Sequence, residues 1–196
     1  MAKELELQEV ASVFYGFQFR GKFNPDPNGN YFVVQMKDIE DEKIDYAQLQ
    51  KVYLKKIQPK YLLKKDDILL INRGKNNRAV LVEKEIENLI PAGNFFLIRQ
   101  KKDSPVVPSF LYHFFNLSDI KDRISNNRLG NTLSMLRKQE LTKVKIPIIS
   151  EKKQKKLSQL FEVCALEKKL MKKLQIEREL FIHTKLQNTI NREASF

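Results

Sequence analysis

The last quarter of this chain constrains its fold most. Residues 151–190 contain no proline and no glycine, while all seven prolines and all six glycines lie within residues 1–147. Those two residue types interrupt helices most strongly. The spacing therefore predicts one unbroken helix of about 40 residues, roughly 60 Å long at 1.5 Å per residue. That is longer than a 150-residue domain is wide, so the helix is expected to project and to seek a partner helix. Its start is set by Ile146-Pro147, because the residue before a proline is held out of the helical region. Ser150 is a good N-cap, and Glu151 puts negative charge in the first turn. Leu160, Val163, Leu170, Leu174 and Phe181 share heptad positions a and d, and Glu167, Glu177 and Thr184 interrupt the same stripe. Such a stripe fits a coiled-coil seam. Leu160, Leu170, Leu174 and Phe181 are its candidate contacts with a second copy or another helix.

Residues 1–147 read differently. Short apolar runs alternate with turn signals, which predicts strands at 31–36, 68–72, 79–82 and 95–99. The turn Arg73-Gly74-Lys75-Asn76-Asn77-Arg78 joins the second and third as a hairpin. Helices are expected at 45–49, 108–116, 119–126 and 137–143. The whole is an α+β chain: a domain with a mixed, twisted sheet over residues 1–147, then a long C-terminal α-helix over 148–196.

Charge narrows the choice of partners. The 196 residues hold 36 Lys+Arg against 24 Asp+Glu, a formal charge of +12. Residues 151–196 hold eleven cations and six acids, so the second part is the denser in positive charge. A surplus of this kind favours polyanions, whether nucleic acid, acidic protein or anionic lipid. No apolar run exceeds four residues, whereas a membrane span needs about 20. The opening MAKELELQEV carries acids where a signal peptide is apolar, so a cytoplasmic location is expected. One cysteine, Cys164, excludes an internal disulfide and a multi-cysteine zinc site.

Catalytic constellations are missing. His113 and His183 are far apart in sequence, and no HExxH, GxSxG or Walker-type loop occurs. No Asn-Pro-Pro-Tyr or Asp-Pro-Pro-Tyr loop is present to grip a flipped base. No catalytic, metal-binding or cofactor-binding residue is therefore assigned. One enzyme alternative stands beside this reading: Asp26 followed by Asp41-Glu42-Lys43 imitates the acids and lysine of a metal-dependent nuclease.

The turns carry groups suited to DNA. Arg20 and Lys22 sit among aromatics, and Gln35 and Lys37 close a strand. Arg73, Lys75, Asn76 and Arg78 share one turn, and Asn127 and Arg128 fall within Ser125-Asn126-Asn127-Arg128-Leu129-Gly130-Asn131-Thr132. Arginine pairs with guanine N7 and O6, and Asn or Gln with adenine N6 and N7. Lysine more often holds phosphates and fixes register.

The same residues resemble the specificity (S) subunit of type I restriction–modification systems, as one target recognition domain followed by one conserved helix. Gly16-Phe17-Gln18-Phe19-Arg20-Gly21-Lys22 is similar to the family's opening segment. Tyr31 to Ile39 is similar to its "v-i-Q-m-k-D-I" strand. Tyr61 to Leu70 with Arg73-Gly74 is similar to "y-L-l-k-x-G-D-I-L" and its "R/K-G" turn. Phe110 to Asn116, Gly130 to Leu136, Leu141 to Pro147 and Gln154 with Lys156-Leu157 follow in the family's order. Three departures stand out: Asp66 replaces a glycine, Ile149-Ser150 stand where the family often has Pro-Pro-Leu, and only one domain and one helix are present where the family has two of each. The resemblance implies a non-catalytic reader of double-stranded DNA. It implies that S-adenosylmethionine is held by partner adenine-methyltransferase (M) subunits and that a restriction (R) subunit joins them. With one of each, the chain is a half-subunit, a split gene or a fragment, and a half-subunit would pair as a homodimer through its helix. The alternative from another class is an assembly protein that engages the methyltransferase without reading DNA.

Overall fold

The computed structural model describes residues 3–73, 77–126 and 136–193. It divides into two compact units, Met1–Lys155 and Lys156–Phe196. In chain order the elements are β1 (Glu4–Glu6), α1 (Leu7–Val10), β2 (Ala11–Tyr15), β3 (Tyr31–Val34), β4 (Ile39–Glu40), β5 (Lys43–Ile44) and β6 (Gln50–Val52). They continue with β7 (Ile68–Ile71), β8 (Ala79–Leu81), β9 (Leu89–Pro91), β10 (Phe95–Gln100), α2 (Pro108–Asn116), α3 (Ser118–Asn126), α4 (Lys138–Thr142), β11 (Lys145–Pro147) and α5 (Glu151–Glu193).

The short apolar runs explain the layering. In β10, Phe96 and Ile98 point into one hydrophobic cluster and Phe95 and Leu97 into another; β7 divides the same way, with Ile68 and Leu70 against Leu69 and Ile71. A strand with both faces buried has no polar face, so it reads as a continuous apolar run. These strands form an antiparallel sheet ordered β2-β10-β7-β8. One face carries α1, α2, α3 and α4 through the cluster of Val10, Phe110, Phe115, Ile124 and Leu141. The other carries Val34, Ile44, Leu63 and Leu89. A second sheet, β6-β3-β9, pairs β3 antiparallel to β6 and parallel to β9. At the edge strand β8, the Asn116 amide donates to the Ala79 carbonyl and accepts its N–H, at 3.0 Å each. This satisfies a backbone pair that would otherwise be left open.

Three expectations need correcting. Residues 45–49 form turns and not a helix. The Asp45 carboxylate accepts the Ala47 N–H at 3.0 Å, and the Asp45 N–H goes to the Asp38 carbonyl at 2.8 Å; this local side-chain bond competes with helix formation. The 31–36 strand stops at Val34 and passes into a 3-10 turn, Met36–Asp38. Finally, β1, α1, β2, β4, β5, β6, β9 and β11 were not foreseen. The Ile-Pro run before the long helix is β11, paired antiparallel with β1.

Two departures in the sequence have a structural reading. Asp66 has φ +70°, a left-handed conformation that favours glycine. The neighbouring Asp67 is almost fully buried. Its carboxylate takes two bonds from Arg99, from Nε at 2.8 Å and Nη2 at 2.6 Å, and a third from the Lys64 N–H at 2.7 Å. That anchoring holds the tight turn in place despite the aspartate. At the other end, the first turn of α5 is fixed by Gln154, which has no exposed surface. Its Oε1 accepts the Val107 N–H at 2.7 Å, just before α2. Its Nε2 donates to the carbonyls of Pro105 and Ile149 at 2.8 Å each.

Replacing Asp66 by glycine is expected to relieve the left-handed strain and raise stability by about 0.5 kcal/mol after glycine's added chain entropy, read by urea unfolding of the full chain. Gln154→Leu leaves one N–H and two carbonyls without partners and is expected to cost about 2–4 kcal/mol. Gln154→Glu keeps an acceptor for Val107 but sets a carboxylate against two carbonyl oxygens, which raises its folded pKa. Its stability relative to the parent chain is therefore expected to be greatest below pH 4 and to fall as pH rises through the carboxylate range.

Candidate nucleic-acid interface

The sheet ends on one rim, and the predicted contact segments leave from it. After β2, the Gly16 N–H bonds to Phe95 O at 2.9 Å and the Phe17 N–H to Pro91 O at 2.7 Å. The backbones pass so closely that a Cβ on Gly16 would lie 2.0 Å from Ala92 O. After β3, Val34 O accepts the Ala92 N–H at 2.9 Å. After β7, the Asn72 N–H donates to Asn94 O at 2.9 Å, and its side-chain amide donates to Gly93 O at 3.1 Å. Asn72 O in turn accepts the Leu136 N–H at 3.0 Å. The β2 and β3 exits, the β7–β8 hairpin, the β9–β10 turn and the residue that follows 127–135 are thus bonded to one another.

Aromatic edge-to-face pairs stiffen the first segment. Phe17 meets Phe19 at 4.9 Å and Tyr61 at 5.4 Å between centroids, and Phe19 meets Phe23 at 5.3 Å. Arg20 and Lys22 are exposed on this segment, and neither bonds to a described residue. A cleft of about 380 Å³ runs beside it, lined among others by Phe17, Gln35, Met36, Lys37 and Asn94. Lys37 is exposed there. Gln35 is half-buried and already engaged: its amide donates to Gln50 Oε1 at 3.3 Å, and its N–H bonds to Asp38 Oδ2 at 2.8 Å. Burial pushes the Asp38 carboxyl above its ordinary range. Arg73 is exposed one residue from the Asn72 hub, and Arg78 is half-buried at the start of β8. Lys75, Asn76, Asn127 and Arg128 lie outside the described residues.

The structure therefore brings Arg20, Lys22, Gln35, Lys37, Arg73 and Arg78 to segments of one rim. Sequence reasoning missed Asn72, Met36 and Asn94. Asn72 is the rim's buried hub, hidden between an apolar run and a basic turn. Met36, 42% exposed beside the cleft, had no signal in the sequence.

The nuclease alternative does not gather its residues. Asp26 Oδ1 accepts the Asn28 N–H at 2.9 Å within its own turn. Asp41 and Glu42 form the β4–β5 turn at φ 47° and 63°, and Lys43 pairs with Glu83 at 3.0 Å. Among the described residues no group of three or more His, Cys, Asp or Glu is placed to hold a metal ion. Burial lowers the pKa of His113.

Among the described residues the second unit is helix alone, with no other described element of its own against which to bury side chains. Leu160, Leu170, Leu174 and Phe181 are each more than half exposed. Ile176 and Leu180 are exposed as well and fall off that stripe, so the distal half is apolar on more than one side. No described helix is long and apolar enough to cross a membrane.

The crystal structure of the S subunit of a type I restriction-modification system from M. genitalium is 17% identical, with a TM-score of 0.56 over 82% of this chain and 38% of that one. The HsdS subunit from Thermoanaerobacter tengcongensis is 15% identical, with a TM-score of 0.64 over 88% and 39%. A structure described as showing complex assembly and conformational transition of the type I R-M system is 16% identical, with a TM-score of 0.70 over 90% and 41%. The chain thus spans about two fifths of the solved chains it matches. No curated protein matches it significantly in sequence. Residues 2–178 match the type I restriction modification DNA specificity domain, and the chain therefore belongs to that non-catalytic family.

Proposed function

We propose that this chain reads a duplex DNA target for a type I restriction–modification assembly and directs a partner adenine methyltransferase, and with it a restriction subunit, to that target. Residues 1–147 serve as the target recognition domain and residues 148–196 as the docking helix. The observation that carries the reading is the convergence of the basic and amide-bearing segments on one hydrogen-bonded rim. In this reading the exposed Arg20 and Arg73, with the half-buried Arg78, read guanine edges, and Lys22 and Lys37 hold phosphates. S-adenosylmethionine belongs to the methyltransferase subunit, and the chain needs no cofactor of its own. It works in the cytoplasm.

The exposed apolar residues along the second unit support a homodimer. Two copies joined by antiparallel helices present two recognition domains, and the helix length fixes the gap between two symmetric half-sites. The seam runs through Leu160, Leu170, Leu174 and Phe181.

Light scattering is expected to give about twice the 23.1 kDa chain mass at micromolar concentration, and Leu170→Glu with Leu174→Glu is expected to halve it. A parent chain that stays monomeric contradicts the pairing. Selection from random duplexes by the chain with its modification subunit is expected to yield a bipartite consensus. Arg73→Ala is expected to relax one position in each half-site by about 1–3 kcal/mol. Enrichment of no consensus contradicts the DNA reading and favours the assembly-protein alternative.

A further inference from the structure

Between Asp45 and Asp66 the chain holds six lysines and not one acid. The first 150 residues carry a surplus of seven positive charges, so this one stretch supplies most of it. The lysines follow no regular spacing, falling at 51, 55, 56, 60, 64 and 65. The structure gives the spacing a meaning. Leu54, Ile57, Tyr61 and Leu62 face inward onto the cluster of Val33, Val52, Ile90 and Ala92. Lys55, Lys56, Lys60, Lys64 and Lys65 are exposed, and none forms an ion pair with a described residue.

Two contacts fix this stretch, and the second reaches the rim. The Asn30 side chain holds the Leu54 backbone from both sides, accepting its N–H and donating to its carbonyl at 2.9 Å each. The Tyr61 ring meets Phe17 edge-on at 5.4 Å, and Phe17 lines the cleft. The Lys60 ammonium lies 5.1 Å above the Tyr61 ring, which fixes it beside that contact. The same cluster packs Phe19 and Phe23, the aromatics between which Arg20 and Lys22 emerge.

We propose that Lys55, Lys56 and Lys60 form a phosphate-binding rail that continues the cleft and takes the sugar–phosphate backbone of duplex DNA. The proposal rests on the DNA reading above and adds to it where the sequence-independent part of the affinity resides. Unpaired lysines keep their charge free for phosphates, and each phosphate neutralised releases counterions. Lysine serves here as a point charge, without the fork needed to read a base. The rail therefore contributes affinity and register, and leaves specificity to the rim.

The test measures binding of the full chain with its modification subunit to a selected and to a random duplex, by fluorescence anisotropy across a salt series. The triple variant Lys55→Gln, Lys56→Gln, Lys60→Gln is expected to lower the log–log salt slope by about 2.7. Both duplexes are expected to lose affinity by the same factor, so that their ratio is unchanged. A control of equal charge change, Lys3→Gln with Lys102→Gln and Lys143→Gln, removes three exposed lysines of the first unit remote in sequence from the rail and is expected to leave the slope nearly intact. An unchanged slope in the rail variant overturns the rail alone, as does an equal loss in the control or a defect only in capture of the modification subunit. A parent complex that binds neither duplex overturns the DNA reading itself, and the rail with it.

Discussion

The short turn Pro91-Ala92-Gly93-Asn94 is where the first unit is tied together. Its backbone accepts from Phe17, donates to Val34 and accepts from Asn72, and Gly93 O also takes side-chain bonds from Gln18 and Asn72. Segments far apart in sequence are thereby locked to one another by bonds that loops seldom supply for themselves. The closeness is steric as well as polar, because Gly16 has no room for a Cβ against Ala92. Everything attributed to the rim depends on this crossing: it sets the positions from which Arg20, Lys37 and Arg73 reach outward.

Below the rim lies a sheet buried on both faces, and this division suits a reader of DNA. A rigid, desolvated scaffold fixes where loops begin and end, while the loops themselves carry the chemistry. Apolar clusters on the two faces hold β7 and β10, and the aromatic chain Phe17-Phe19-Phe23 extends that rigidity into the first loop. At the opposite end of β10, Gln154 fastens the first turn of the long helix to the residues before α2. A buried amide with three good partners specifies one arrangement of those segments more sharply than apolar contact would.

Much of this was legible from residues alone, and the exceptions have physical causes. The run at 108–116 became α2 with those bounds, since a proline at the first helical position and apolar residues at 110, 111, 114 and 115 leave little choice. The long helix followed from the absence of breakers. Strands β7, β8 and β10 were visible because double burial makes them continuously apolar. By contrast β6 (QKV) and β9 (LIP) are three residues long and owe their pairing to β3, which no local pattern encodes. The 45–49 segment has helical composition, but Asp45 spends its carboxylate on a turn. Gln35 looked like a base reader, yet its amide is engaged with Gln50. The lysines after Asp45 carry no local signal, because only the fold sorts them from their inward-facing neighbours.

One rim of the first unit is proposed to meet DNA. Amide hydrogen exchange of the chain with its modification subunit, with and without the selected duplex, distinguishes that contact from any other. Exchange is expected to slow at residues 18–22 and at Arg73 on adding duplex, with no change in α2 or β11. Protection confined to the long helix, or spread evenly over the first unit, would contradict it.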